Sequence, residues 1–333
     1  MSLPRYGPDN PDVTYVPHRY EEHLIDLGEV RLNYACTGDP SLPALLLIPG
    51  QTESWWGYEA AMPLLDQHFQ VFAVDLRGQG RSSRTPGRYT WDNLGNDLIR
   101  FIAFRIRRPT VVAGLSSGGV LSAWLSAYAP PGMLRGALYE DPPLFGSELA
   151  PECGPGMRQG LGPYFSLLSK YLGDQWSIGD WEGFLAAGAA DDLTPMVKVR
   201  TNALAAAGGV VPQNLKEYDP EWGRATSSGS LSGGCDHGRM LRQVRCPVLL
   251  THHAWEIDEA TGNINGALSG LQARRVRELV AAAGQPIRYE IFPTMPHNMH
   301  RADPALYART LLEWASGLPS EDEVRTRGVF AHD

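Results

Sequence analysis

The sequence predicts an α/β fold: a mostly parallel central sheet flanked by helices, with a helical cap inserted into it. Short, uninterrupted apolar runs alternate with longer amphipathic stretches, the pattern of strands buried on both faces and joined by helices. The alternation stops between Pro142 and Arg245, in a Gly-, Ala-, Trp- and Asp-rich region without a convincing strand, and resumes at Pro247. The 333 residues accommodate a large α/β core with such an insertion and need no second independent domain.

Taken in order, residues 1–20 are proline-rich and poor in apolar side chains, which predicts an extended N-terminal arm. Residues 21–142 and 246–319 form the core. Its predicted strands are Val30 to Cys36, Ala44 to Ile48, Val71 to Val74, Thr110 to Ala113, Arg135 to Tyr139, Pro247 to Thr251 and Arg288 to Phe292. The helical candidates are Tyr89 to Arg107, Gly119 to Ala129, Leu268 to Ala283 and Pro304 to Ser316. Residues 143–245 are the cap, or lid, which would roof the carboxyl end of the sheet, where open α/β sheets bind ligands. Residues 320–333 are polar and charged and predict a loosely held C-terminal tail. No internal repeat is visible.

A net charge of −8 argues against nucleic acid as a partner. The apolar runs fall far short of the ~20 residues of a membrane helix, and the amino terminus lacks a basic-then-apolar signal pattern, so the expectation is a cytoplasmic protein that does not engage a membrane. Four cysteines (Cys36, Cys153, Cys235 and Cys246) lie far apart without metal or redox spacing, which predicts reduced, structural thiols. No metal or organic cofactor is expected.

Gly114-Leu115-Ser116-Ser117-Gly118 lies between a predicted strand and a predicted helix, the context that a G-x-S-x-G nucleophile turn requires. Glycines at both ends remove side chains that would collide in so sharp a turn. Ser116 is centred as the nucleophile, with Ser117 as the rival, and the Ser117 amide at the helix start is placed to donate to an oxyanion. The second donor is expected from the Gln51 amide, in the loop Pro49-Gly50-Gln51-Thr52-Glu53-Ser54-Trp55-Trp56. These features resemble the α/β-hydrolase fold. Many of its members carry His-Gly where this chain has Pro-Gly, so the histidine that usually braces the loop is absent. Asp75 to Ser82 resembles the Asp-x-Arg-Gly-x-Gly-x-Ser turn of the same fold and is read as structural.

His297 follows the last predicted strand, where a base can reach the Ser116 hydroxyl; His300 is its rival. His252 and His253 end the preceding strand, and a structural role there is favoured over catalysis. Two positions can supply the acid. Glu140-Asp141-Pro142 follows the strand Arg135 to Tyr139, and Glu256 and Asp258 follow the strand Pro247 to Thr251. Side chains alternate along a strand, so only one of Glu140 and Asp141 can face the histidine. Asp141 is favoured, with Glu140 the alternative.

Narrower resemblance lies in Gln51 to Trp56, Ser116 to Gly119, Glu140-Asp141-Pro142, Asp174 to Trp181, Asn214 to Arg224 and Thr251-His252-His253. These segments look like the bacterial zearalenone lactonases, over about Arg19 to Pro319. The resemblance implies a carboxylic-ester hydrolase that opens a resorcylic macrolactone through an acyl-enzyme, a mycotoxin detoxification whose hydroxy-acid product then loses carbon dioxide. It carries over Ser116 and His297 and favours the acid after Tyr139. Candidate substrate contacts are Gly50, Trp55, Trp176, Trp222 and His252. The implied partner is a small-molecule macrolactone, and the arm and tail leave room for a homo-oligomer. Serine at the nucleophile position argues against haloalkane dehalogenase and epoxide hydrolase chemistry. A carboxylesterase acting on another ester, or a hydrolase-fold ligand-binding protein, stands as the alternative.

Overall fold

The computed structural model describes residues 17–145, 150–173, 179–190, 193–207, 211–326 and 328–330. Ten strands are numbered in chain order: β1 (Glu22–Asp26), β2 (Arg31–Thr37), β3 (Ala44–Ile48), β4 (Gln70–Val74), β5 (Thr110–Leu115), β6 (Leu134–Glu140), β7 (Val248–His252), β8 (Glu256–Ile257), β9 (Ile264–Asn265) and β10 (Ile287–Ile291). Eight of them form one sheet in the order β1-β2-β4-β3-β5-β6-β7-β10, while β8 and β9 make a separate hairpin. From β4 to β10 all pairings are parallel; β2 runs antiparallel to β4, and β1 to β2.

The helices of the first half are α1 (Met62–Leu65), α2 (Trp91–Phe101) and α3 (Ser117–Tyr128). Those between β6 and β7 are α4 (Met157–Tyr171), α5 (Trp181–Gly188), α6 (Pro195–Ala206), α7 (Gln213–Lys216), α8 (Pro220–Ser228) and α9 (His237–Leu241). After β7 come α10 (Gly270–Ala282), α11 (Met299–Ala302), α12 (Pro304–Ala315) and α13 (Glu321–Arg325). No helix of the described residues is long and apolar enough to cross a membrane.

Strand periodicity divides the core into two layers. Along β3, Leu46 and Ile48 join the layer under α2 and α3, whereas Leu45 and Leu47 face Tyr58, Leu311 and Trp314 on the opposite side. Helix α2 starts where the Thr90 side chain accepts from the Asn93 amide. The single helix expected over Tyr89 to Arg107 is in fact α2 followed by a π-helical turn, Ile102–Ile106, closed by Arg107 in a left-handed conformation.

The β6–β7 insertion is fastened to the core by polar contacts. Asn214 Nδ2 donates to the Thr52 carbonyl at 2.8 Å, and Glu217 accepts from Ser54 Oγ and, at 2.9 Å, from Trp56 Nε1. Asp219 accepts from Arg84 at 2.8 Å and from the Tyr89 hydroxyl.

The C-terminal segment departs from the loose tail expected. Ser320 and Glu323 cap α13 reciprocally, Glu321 accepts from the Ala44 amide at 3.0 Å, and Phe330 is buried. One apolar side chain and a capped turn are enough to dock a stretch whose composition reads as solvated. Of the expected N-terminal arm, residues 1–16 lie outside the described residues.

Candidate active site

The turn from β5 into α3 is too tight for side chains at its glycines. A Cβ on Gly114 would meet the Gly118 carbonyl oxygen at 2.1 Å, and one on Gly118 would meet the Ile48 carbonyl oxygen at 2.2 Å. Ser116, between them, has φ 55° and ψ −119°, a conformation disfavoured for a side chain bearing Cβ. Its amide is fixed by the Glu140 carbonyl at 2.8 Å. Helix α3 starts at Ser117, two residues before the expected Gly119, so the Ser117 amide lies at a helix N-terminus.

Ser116 and His297 open onto the same cavity, of about 500 Å3, between the sheet's carboxyl end and the insertion. His297 Nδ1 lies 2.6 Å from Asp141 Oδ2, and the His253 amide donates to Asp141 Oδ1 at 3.2 Å. A carboxylate only accepts, so Nδ1 carries the proton and Nε2 is left as the basic nitrogen. Burial raises the Asp141 pKa, but the hydrogen bond and charge of His297 outweigh it and hold the carboxyl below its usual range. His253 Nδ1 donates to the His297 carbonyl at 2.9 Å, bracing the loop that carries His297.

Glu140 and His300 form a different pair. Both are fully buried, with His300 Nδ1 3.1 Å from Glu140 Oε2. Glu256 is exposed and accepts from Asn265, and Asp258 caps a turn at Thr261; both belong to the β8–β9 hairpin region.

Gly50 and Gln51 line the cavity beside Ser116, and a Cβ on Gly50 would stand 3.3 Å from Ser116 Cβ. Among the described residues no protein acceptor engages the amide of Gln51 or Ser117, so both donors are available to a ligand. The Gln51 side chain points to the insertion instead, donating to the Tyr218 hydroxyl at 2.6 Å and accepting from Thr226 Oγ1 at 2.9 Å.

Three expected substrate contacts belong to the packing and not to the cavity wall. Trp55 is fully buried, with its indole nitrogen on Glu22 at 2.8 Å. Trp222 is also fully buried, stacked between Tyr89 and Tyr218. His252 donates from Nε2 to the Leu268 carbonyl at 2.7 Å and accepts the Tyr289 hydroxyl at Nδ1. Trp55 and His252 are hydrogen-bonded in the core, Trp222 packs against the two tyrosines with no hydrogen-bond partner for its indole nitrogen among the described residues, and none of the three lines the cavity. Trp176 lies outside the described residues.

Other residues line the cavity. Met157, Leu161 and Phe165 of α4 line the cavity at steps of four, with Trp91, Phe145 and Leu231. That helical spacing is the sequence signal for them. Arg158, Arg200 and Arg301 also reach the wall, and no sequence pattern singles them out. His237, on the same wall, accepts the Phe145 amide at Nδ1, and burial pulls its pKa down to about 4, so it is neutral.

A family model described as the alpha/beta hydrolase family matches residues 45–311. Among curated proteins, the chain is 35% identical over 117 residues to 3-oxoadipate enol-lactonase 2 of Acinetobacter baylyi, covering 34% of this chain and 43% of that protein. It is 25% identical over 257 residues to a fluoroacetate dehalogenase of Burkholderia sp, covering 69% of this chain and 77% of that one. The first alignment thus spans less than half of its relative. Among solved structures, an esterase from Rhodococcus sp. ECU1013 superposes with a TM-score of 0.62 at 19% identity, over 91% of this chain and 100% of that one. The enol-lactonase from Burkholderia xenovorans LB400 gives 0.61 at 15% identity, over 88% and 100%. At these identities the structural matches show the fold.

Proposed function

The chain belongs to the alpha/beta hydrolase family, and from that premise we propose that it hydrolyses an ester through Ser116, acting on resorcylic macrolactones of the zearalenone class. The observation that carries the serine mechanism is the Asp141–His297 hydrogen bond of 2.6 Å, beside the cavity that Ser116 shares. His297 Nε2 takes the Ser116 proton as Oγ attacks the lactone carbonyl, and Asp141 stabilises the imidazolium that forms. The Gln51 and Ser117 amides receive the oxyanion. Collapse expels the ring oxygen, which takes its proton from His297. In a lactone this alcohol stays tethered to the acyl group until water, activated by the same histidine, releases the hydroxy-acid.

Support for the macrolactone comes from the insertion, which we read as a cap over the site. Its segments Asp174 to Trp181 and Asn214 to Arg224 carry the resemblance to zearalenone lactonases, and the second supplies the contacts to the oxyanion loop. A cavity of about 500 Å3 suits a drug-sized, largely apolar ligand. Displacement of halide from carbon through an enzyme ester calls for a carboxylate nucleophile, which Ser116 does not provide.

Three arginines on the wall favour a second reading, an ester whose acyl group bears a carboxylate. Turnover of a dicarboxylate monoester far above that of p-nitrophenyl butyrate would support it. The serine mechanism is tested by diethyl p-nitrophenyl phosphate: phosphorylation mapped to Ser116 with parallel loss of esterase activity is expected. Full esterase activity without labelling would rule it out.

A further inference from the structure

We propose that His300, as an imidazolium, is a positioning residue that ties the oxyanion-hole loop to the end of β6. The inference rests on the reading of Ser116 as nucleophile.

The loop after β3 lacks a histidine ahead of Gly50 and is held on the side of the insertion by Asn214, Glu217 and Tyr218. His300 is fully buried at the start of α11, behind that loop. Its Nδ1 lies 3.1 Å and 3.2 Å from the two Glu140 oxygens, and its amide donates to Glu140 Oε1 at 3.3 Å. On the other side Nε2 faces Glu53 Oε2 at 3.7 Å. Glu53 is two residues beyond Gln51, lines the cavity, and donates its amide to the Gly50 carbonyl at 3.2 Å. The imidazole is clamped by Tyr58, stacked at 4.1 Å, and by the edge of Tyr307 at 5.8 Å.

One imidazole between two carboxylates serves both only when both nitrogens carry protons. At 3.7 Å the Glu53 contact is an ionic approach and not a hydrogen bond, and a ring protonated at Nδ1 alone would turn its Nε2 lone pair toward that carboxylate. The charged groups around it are Glu140 from β6, Glu53 from the loop, and the opposing Arg301 on its own helix, whose Nη1 is 3.9 Å from Glu53 Oε1; Tyr58 and Tyr307 are neutral phenols. His253 also acts on Glu140 electrostatically. Burial pulls the His300 pKa down, but the Glu140 charge and hydrogen bond, with Glu53 adding, prevail and raise it above the usual imidazole range. The charged form is therefore kept to higher pH than in a free imidazole and is lost as pH rises through the raised pKa. Loss of that charge removes the ionic contact between Glu53 and the end of β6, and leaves the loop that presents the Gln51 amide to its contacts with Arg301 and the insertion.

The test is kcat and KM for p-nitrophenyl butyrate from pH 6 to pH 10, for wild type, His300→Gln and Glu53→Gln, with Ser116 labelling by diethyl p-nitrophenyl phosphate in each sample. In wild type, kcat falls on an alkaline limb. His300→Gln lowers kcat roughly 10- to 100-fold with KM within about twofold, and the limb disappears. Glu53→Gln, whose side chain borders the cavity, removes the charge through which the tie acts, so kcat falls and the alkaline limb shrinks. Should His300→Gln fail to fold, the Glu53 variant decides. An alkaline limb unchanged in Glu53→Gln, or a rise in KM alone, overturns the proposal. Failure of the wild type to label at Ser116 while hydrolysing the ester would instead overturn the serine reading, and this inference with it.

Discussion

Glu140 and Asp141 are chain neighbours whose carboxylates serve different histidines: Asp141 Oδ2 lies 2.6 Å from His297 Nδ1, whereas Glu140 meets His300 at 3.1 Å. Strand geometry sends consecutive side chains to opposite sides, and Asp141, with φ 42°, turns its carboxylate toward His297.

The two positions therefore fail differently when neutralised. Asp141→Asn leaves His297 in the wrong tautomer, and kcat is expected to fall roughly ten-thousand-fold, the scale set by serine-protease triads, with little change in thermal midpoint. Glu140→Gln takes from buried His300 its nearer, hydrogen-bonded carboxylate and is expected to cost about 3–5 kcal/mol of stability. Steady-state kinetics and urea denaturation on both variants check this. Equal kinetic losses without destabilisation by Glu140→Gln would reverse the assignment.

Gln51 couples the oxyanion loop to the insertion through Tyr218 and Thr226. Gln51→Ala keeps the backbone donor but releases the loop, and kcat/KM is expected to fall roughly 10- to 100-fold. Tyr218→Phe removes one of the two bonds and should lower it less. The double variant should be no worse than Gln51→Ala, and additive losses would show that the two side chains act separately.

Glu217 is a buried carboxyl whose pKa is raised, chiefly by burial, against hydrogen bonds from Ser54, Gln213 and Trp56. A carboxyl with a raised folded pKa favours the folded state at low pH, and that contribution is lost as pH climbs through it. Glu217→Gln has no such loss, and a flipped Gln213 amide would offer it an acceptor. Relative to wild type, the thermal midpoint of Glu217→Gln should rise between pH 5 and pH 8. A gap that shrinks or reverses over that range would refute the sign.

Trp222 and Leu161 separate packing from ligand contact. Trp222→Ala empties the space between two tyrosines and should cost about 3–5 kcal/mol in denaturation. Leu161→Ala, at the cavity wall, should raise KM about tenfold at a smaller cost in stability. Similar KM effects from both would place Trp222 at the substrate after all.

Much of this was legible in the chain. Ala44–Ile48 is an apolar run between turn residues, and the strand has those limits. Gly114 and Gly118 marked a turn whose closeness the structure explains. Strand β1 was missed because its five residues, Glu-His-Leu-Ile-Asp, lie on the sheet edge, half-exposed and without alternation. That miss hid the partner of Trp55, since Glu22 lies on β1. Trp222 packs away from the cavity for a related reason: composition reports how much ring surface a segment carries and is silent on which way it turns. Spacing is more informative there. Met157, Leu161 and Phe165 form a helical stripe, and that stripe faces the cavity.

The most direct test of the account is chromatography with mass detection after incubating zearalenone with wild type and with Ser116→Ala. The account predicts that wild type yields the water-added, ring-opened acid, or its decarboxylated successor, and that the folded variant yields neither. Consumption of zearalenone by both would contradict the role of Ser116. An intact toxin beside a wild type that hydrolyses p-nitrophenyl butyrate would contradict the macrolactone and leave an esterase of another substrate class.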